Sequence, residues 1–180
     1  MQTAVTDLQQ NFFRLFDLAQ RFRLDSEQLE QRFHVLQSQV HPDKFAHLSE
    51  AERRVSMQWA TRVNEAYQTL RSPVSRARYL LSLHGVDTQE ETNTAMPGDF
   101  LIQQMEWREV LEQALHERDI VALEALEARL LSESSRMQAS LASMLDDKNS
   151  YAAAAGEVRK LRFLEKLAEE ISSAYDEIDN

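Results

Sequence analysis

The chain has 180 residues, of which 20 are Lys or Arg and 30 are Asp or Glu, for a net charge of −10. Only three glycines and three prolines occur, against roughly 22 together at average usage, which excludes a turn-rich β-sandwich or barrel. The absence of cysteine excludes disulfides, thiolate catalysis and Cys-ligated zinc or iron–sulfur sites.

The first ten residues carry Asp7 and no Lys or Arg, which suits neither a secretory nor a mitochondrial leader. No apolar run approaches the ~18 residues of a membrane span. The first half then reads as four helices. Phe12, Phe13, Leu15, Phe16 and Leu18 give a short apolar helix. Asp25 with Gln28 forms a cap pair before a second helix, whose Leu29, Phe33, Leu36 and Val40 share one face. Pro42 ends it, because the residue before a proline is driven out of the α region. Ser49 and Glu52 make a capping box for a third helix, with Val55, Trp59, Val63, Ala66 and Leu70 along its stripe. Ser72-Pro73 starts a fourth helix that Gly85 closes. Between them lies the tripeptide His41-Pro42-Asp43, followed by Lys44-Phe45. A histidine and a carboxylate held apart by a rigid proline make a polar claw between two amphipathic helices.

Residues 85–98 hold two of the three glycines and a proline in a polar, acidic filling. They read as a linker between domains at 1–84 and 99–180. The halves differ in charge: residues 1–84 hold 11 basic and 9 acidic residues, and residues 85–180 hold 9 and 21. Such an acidic second half argues against nucleic acid or an anionic membrane as its partner. It reads as three longer helices, the first starting at Asp99, the second breaking at Asp146-Asp147-Lys148-Asn149 and the third running from near Ser150 to Ile178. They make a three-helix bundle, with pairing between chains as a coiled coil the alternative. The second carries Leu123, Leu126, Leu130, Met137, Leu141 and Met144 over roughly 28 residues, about 42 Å. The third carries Val158, Leu161, Leu164, Ala168, Ile171 and Tyr175 on one face.

The helix from Asp99 has two apolar stripes. Phe100, Trp107, Leu111 and Ala114 define one, while Leu101, Ile102 and Met105 lie roughly 160° away at 100° per residue. Glu106 and Glu109 flank the second stripe, and Phe163 falls about 120° off the core face of its own helix. Two readings remain open on spacing alone: a protein-binding patch, or the wide core face of a helix touching two neighbours. The basic run Arg159, Lys160, Arg162 and Lys166 reads as a solvated face paired with acidic neighbours.

An enzyme would have to use His41 and Asp43 as base and orienter. No nucleophile elbow, phosphate-cradling glycine loop or paired-His metal motif supports that. His34, His41, His47, His84 and His116 give no i, i+4 metal pair. The expectation is a protein that is not an enzyme and needs no cofactor or metal.

The short first helix, the second ending at His41-Pro42-Asp43 and the third carrying Asn64, Ala66, Tyr67 and Leu70 resemble a J-domain. With HPDKF at 41–45, YLLSLHG at 79–85, FLIQQMEWREVL at 100–111 and VRKLRFLEKL at 158–167, the whole chain resembles the HscB family of iron–sulfur co-chaperones. The resemblance implies an all-α fold, with an N-terminal J-domain followed by a C-terminal three-helix bundle. It implies stimulation of ATP hydrolysis by an HscA-type, DnaK-like chaperone through His41, Pro42 and Asp43, with Asp43 pairing to an arginine of the ATPase. Helix two departs from many J-domains in having only Arg32 against Glu27 and Glu30, and Val40 where an aromatic is frequent. Docking then rests on Arg32, Lys44 and short-range contacts. The resemblance further implies that the bundle binds the iron–sulfur scaffold protein IscU through Leu101, Ile102, Met105, Glu106, Glu109 and Phe163, for cluster transfer. A J-protein serving another client through the same bundle is the alternative. Without cysteine the zinc element of some eukaryotic members is excluded, and a bacterial cytoplasmic form is expected.

Overall fold

The computed structural model describes residues 10–40, 49–89 and 96–179. These form seven α-helices, and no strand occurs among the described residues. The chain divides into two compact units between Leu80 and Leu81.

The first unit is assembled around a helical hairpin. Helix α1 (Phe12–Leu15) is short because Asn11 caps its start and Asp17, at φ 51°, turns the backbone into the left-handed region. Four residues cannot be stable alone, so α1 is held by packing. Phe12, Phe13, Leu15 and Phe16 are buried, and Phe12 stacks on Tyr79 at 4.4 Å while donating its N–H to the Tyr79 hydroxyl. The Arg62 guanidinium lies 4.3 Å from the centre of the Phe12 ring on the other element. Helix α2 (Ser26–Val40) starts where the Asp25 carboxylate accepts the Glu27 and Gln28 N–H groups. Helix α3 (Glu50–Arg71) starts at the expected Ser49–Glu52 capping box. The two helices pack through Leu29, Trp59, Val63, Ala66 and Leu70, with Phe33 stacked on Tyr67 at 4.0 Å.

One position of the α3 stripe is different from expectation. Val55 is 50% exposed and Ser56 is buried in its place, because the Ser56 hydroxyl donates to the carbonyl of Val40 at the end of α2. Helix α4 (Pro73–Leu83) begins on its proline, with the Ser72 hydroxyl accepting the Ser75 N–H. Buried Arg76 donates to the carbonyl of Leu70 at 2.6 Å, satisfying one of the four orphan acceptors at the end of α3. Gly85, at φ 71°, closes α4 by supplying the left-handed residue that a side chain would strain.

The second unit contains α5 (Gly98–Glu117), α6 (Ile120–Ala142) and α7 (Tyr151–Asp179), which pack pairwise as a three-helix bundle. Arg118 in the left-handed region and the Asp119 cap join α5 to α6 in two residues. Helix α6 runs on through a π-helical turn at Ser143–Asp147. The wider turn rotates the chain so that Leu145 is buried and Met144, the expected core residue, only half-buried. On α7 the core is Val158, Leu161, Leu164, Leu167, Ile171, Ala174 and Ile178. Ala168 is exposed and Tyr175 half-buried, contrary to the expected stripe. From Leu164 onward the buried residues alternate by three and four, a heptad seam that drifts ~20° per seven residues from the straight-helix line.

Residues of the second unit that follow α4 pack against α7. Thr88 is buried and its carbonyl accepts from Arg159 Nη1 at 3.0 Å, while His84 stacks on Tyr151 at 4.0 Å. Residues 90–95, within the expected linker, and the first nine residues lie outside the described residues.

Candidate functional site

Two groups of expected site residues belong to different units. Of the first, His41, Pro42, Asp43 and Lys44, with Phe45, lie outside the described residues. The structure does define what they are attached to. Helix α2 ends at Val40, which is buried, and α3 begins beyond the Ser49 cap. The buried Ser56–Val40 hydrogen bond and the Phe33–Tyr67 stack fix the two helices against each other on the stem. Arg32 is about two turns further back on α2, where its Nη1 pairs with Asp17 Oδ2 at 3.0 Å. That pair is solvent-exposed and therefore weak, so a partner carboxylate can take the guanidinium from Asp17 at small cost.

The second group is exposed on α5. Leu101, Ile102 and Met105 are 44, 61 and 72% exposed, while Phe100, Trp107, Leu111 and Ala114 on the opposite face are buried. Of the two readings that spacing allowed, the unburied stripe is the one observed. Glu106 and Glu109 are exposed beside it and make no ion pair among the described residues. Carboxylates next to a bare apolar stripe leave both kinds of surface open to one partner.

Phe163 is different. It is half-buried in an aromatic cluster, edge-on to Phe100 at 5.9 Å and stacked with Trp107 at 6.4 Å. The Arg108 guanidinium sits 5.5 Å from its ring centre and is held in turn by both carboxylate oxygens of Glu170, at 3.2 and 3.3 Å. Phe163 therefore borders the α5 stripe on the Arg108 side, where helical spacing also puts Leu101 and Met105. Sequence reasoning missed Arg108 and Glu170. They are 62 residues apart in the chain, and no local spacing signals such a pair. In the basic run Lys160 pairs with Glu157 and Arg162 with Glu165 and Glu169, as expected, whereas Arg159 donates to the Thr88 carbonyl and not to an acidic neighbour.

The comparisons with known proteins address the chain as a whole. Residues 96–172, which contain the α5 stripe and Phe163, match the family model described as the HSCB C-terminal oligomerisation domain. A co-chaperone protein HscB homolog of Azoarcus sp. (strain BH72) is 52% identical over 174 residues, 97% of this chain and 98% of that protein. The chain belongs to the HscB co-chaperone family. Among solved structures, chaperone HscB from Vibrio cholerae matches with a TM-score of 0.83 and 38% identity, covering 94% of this chain and 99% of its own. Human co-chaperone protein HscB matches with a TM-score of 0.87 and 32% identity, covering 94% and 84%. The all-α architecture of an HscB, a J-domain and a C-terminal helical bundle, is thus the fold of this chain. HscB proteins are J-protein co-chaperones of iron–sulfur cluster assembly, and co-chaperones act on the cycle of an Hsp70-type chaperone. No helix of the described residues is long and apolar enough to cross a membrane.

Proposed function

We propose that this HscB stimulates ATP hydrolysis by an HscA-type chaperone and delivers the iron–sulfur scaffold protein IscU to it, in a bacterial cytoplasm. His41, Pro42 and Asp43 engage the ATPase, Asp43 through a charge-assisted pair with an arginine, with Arg32 and Lys44 beside them. Leu101, Ile102, Met105 and Phe163 bind the scaffold, rimmed by Glu106 and Glu109.

The observation that carries the reading is the bare apolar stripe on α5. A helix that buries Phe100, Trp107 and Leu111 on one face has no folding reason to place Leu101, Ile102 and Met105 in water on the other. Delivery adds to catalysis by tethering. Once the bundle holds the scaffold and the J-domain meets the chaperone, the second encounter becomes effectively intramolecular. The chain itself activates the partner's ATPase and supplies no reacting group.

Single-turnover ATP hydrolysis by HscA, with and without this protein and IscU, tests the proposal. The rate should rise with this protein and rise further when IscU is added. A further rise of the same size with a Leu101→Ala/Met105→Ala variant would overturn delivery through this surface. Co-purification with unfolded client in place of IscU would favour a J-protein of different service.

A further inference from the structure

The Phe163 ring lies between the bundle interior and the Arg108–Glu170 ion pair. Phe163 rests on Phe100 and Trp107 from within the bundle. Its other neighbour is the Arg108 guanidinium, 5.5 Å from the ring centre, gripped by Glu170 two turns along α7. We propose that Arg108 and Glu170 are positioning residues that hold Phe163 in its binding orientation and join the α5 stripe and the α7 ring into one surface. This rests on the reading of that surface as the scaffold site.

Three observations support it. The pair is two-pronged, Nη1 to Oε2 and Nη2 to Oε1, which fixes the plane of the guanidinium as well as its place. Both side chains are nearly half-exposed, where an ion pair adds little to stability, so its value to the fold is small. Finally, Arg108 follows Leu101 and Met105 at steps of four and three on α5, which puts all three along one strip of the helix. A cation over the ring favours one ring orientation before the partner arrives. A side chain already ordered loses less freedom on binding.

The test is a set of variants of the full chain titrated with purified IscU by calorimetry, with helicity and melting recorded on each. Glu170→Gln and Arg108→Met should each weaken IscU about 5-fold while the melting temperature stays close to wild type. The double variant should be no weaker than Arg108→Met alone, because Glu170 acts through Arg108. In a Phe163→Leu background, both substitutions should be silent. Wild-type affinity for Glu170→Gln, with Phe163→Leu weakened, would overturn the clamp and leave the scaffold surface standing. A full 5-fold loss from Glu170→Gln in the Phe163→Leu background would overturn it too, since Glu170 would then act on the partner independently of the ring. If Phe163→Leu and Leu101→Ala both bind as wild type, the surface itself fails and the clamp fails with it.

Discussion

The hydroxyl of Ser56 donates to the carbonyl of Val40 at 3.0 Å, and both residues are buried. The acceptor is the last residue of α2, one step before His41, and one of the four carbonyls that a helix end leaves without an intrahelical partner. The side chain that completes it comes from the second turn of α3. One hydrogen bond thus ties together the two helices from which the His41-Pro42-Asp43 segment departs. Ser56→Ala should destabilise the J-domain by about 1–2 kcal/mol, the cost of leaving a buried acceptor unpaired. Urea melts read that loss, and chaperone stimulation should fall by more than the unfolded fraction accounts for.

His41→Gln or Asp43→Asn should abolish stimulation of HscA while IscU binding and helicity stay at wild-type levels. Under the proposed docking, Asp43→Asn removes the carboxylate charge and weakens the pair with the ATPase arginine, and His41→Gln removes the imidazole. Stimulated single-turnover hydrolysis is the measurement. Undiminished stimulation by His41→Gln would remove the proposed mechanism.

Most of the fold was legible because local chemistry and packing agree. The Ser49–Glu52 box, the Pro73 start and the Gly85 stop are where sequence expects them. Apart from Met144, displaced from the core by the local π-helical turn, the misses come from contacts between segments distant in the chain. Val55 and Ser56 exchange burial because of a carbonyl sixteen residues away. On α7 the straight-helix line holds to Leu164 and then yields to Leu167 and Ala174, since a helix packed against two long neighbours follows their seam. The α5 stripe was readable from periodicity as a second face, but only the observed exposure separated a patch from a core. Phe163 was read from periodicity as lying off its core face; its burial depends on Phe100, Trp107 and Arg108, which no spacing on α7 reveals.

Phe163→Ala should therefore cost stability as well as binding, about 2 kcal/mol in urea melts, below the 3–5 of a fully buried aromatic. The milder Phe163→Leu keeps most of the packing volume and should cost under 1.5 kcal/mol, while still losing the flat face that Arg108 covers. Equal stability of Phe163→Ala and wild type would contradict the aromatic cluster.

Acid should loosen the bundle partly through Glu133. Its hydrogen bond with Arg136 is the largest influence on it and, with the charges of Arg136 and Lys160, outweighs burial to hold the carboxyl below its usual value of 4.5. A depressed folded pKa stabilises above the unfolded value and loses that contribution as pH falls through the folded one. The window is therefore the region below about 4.5, and stability there should rise with pH. Arg136 is largely exposed, so solvent screening keeps the gain small. In Glu133→Gln, urea melts should show a flatter dependence on pH below 4.5 and little change at neutral pH.

The sharpest separation of folding from binding lies on α5 itself, where three exposed apolar residues, Leu101, Ile102 and Met105, lie opposite four buried ones, Phe100, Trp107, Leu111 and Ala114. Leu101→Ala and Met105→Ala remove side chains that are already in water, so folding loses little and stability should move by less than ~1 kcal/mol. Each should weaken IscU by ~1–2 kcal/mol, because the few anchors of an interface carry most of its energy. Trp107→Ala is the opposite case. Its ring is 1% exposed and touches both Phe100 and Phe163, so its loss should cost about 3–5 kcal/mol of stability. Calorimetry and urea melts on the same samples give both quantities. Unfolding shifts of core size for Leu101→Ala and Met105→Ala would make the stripe part of the core and would leave IscU without its binding face on α5.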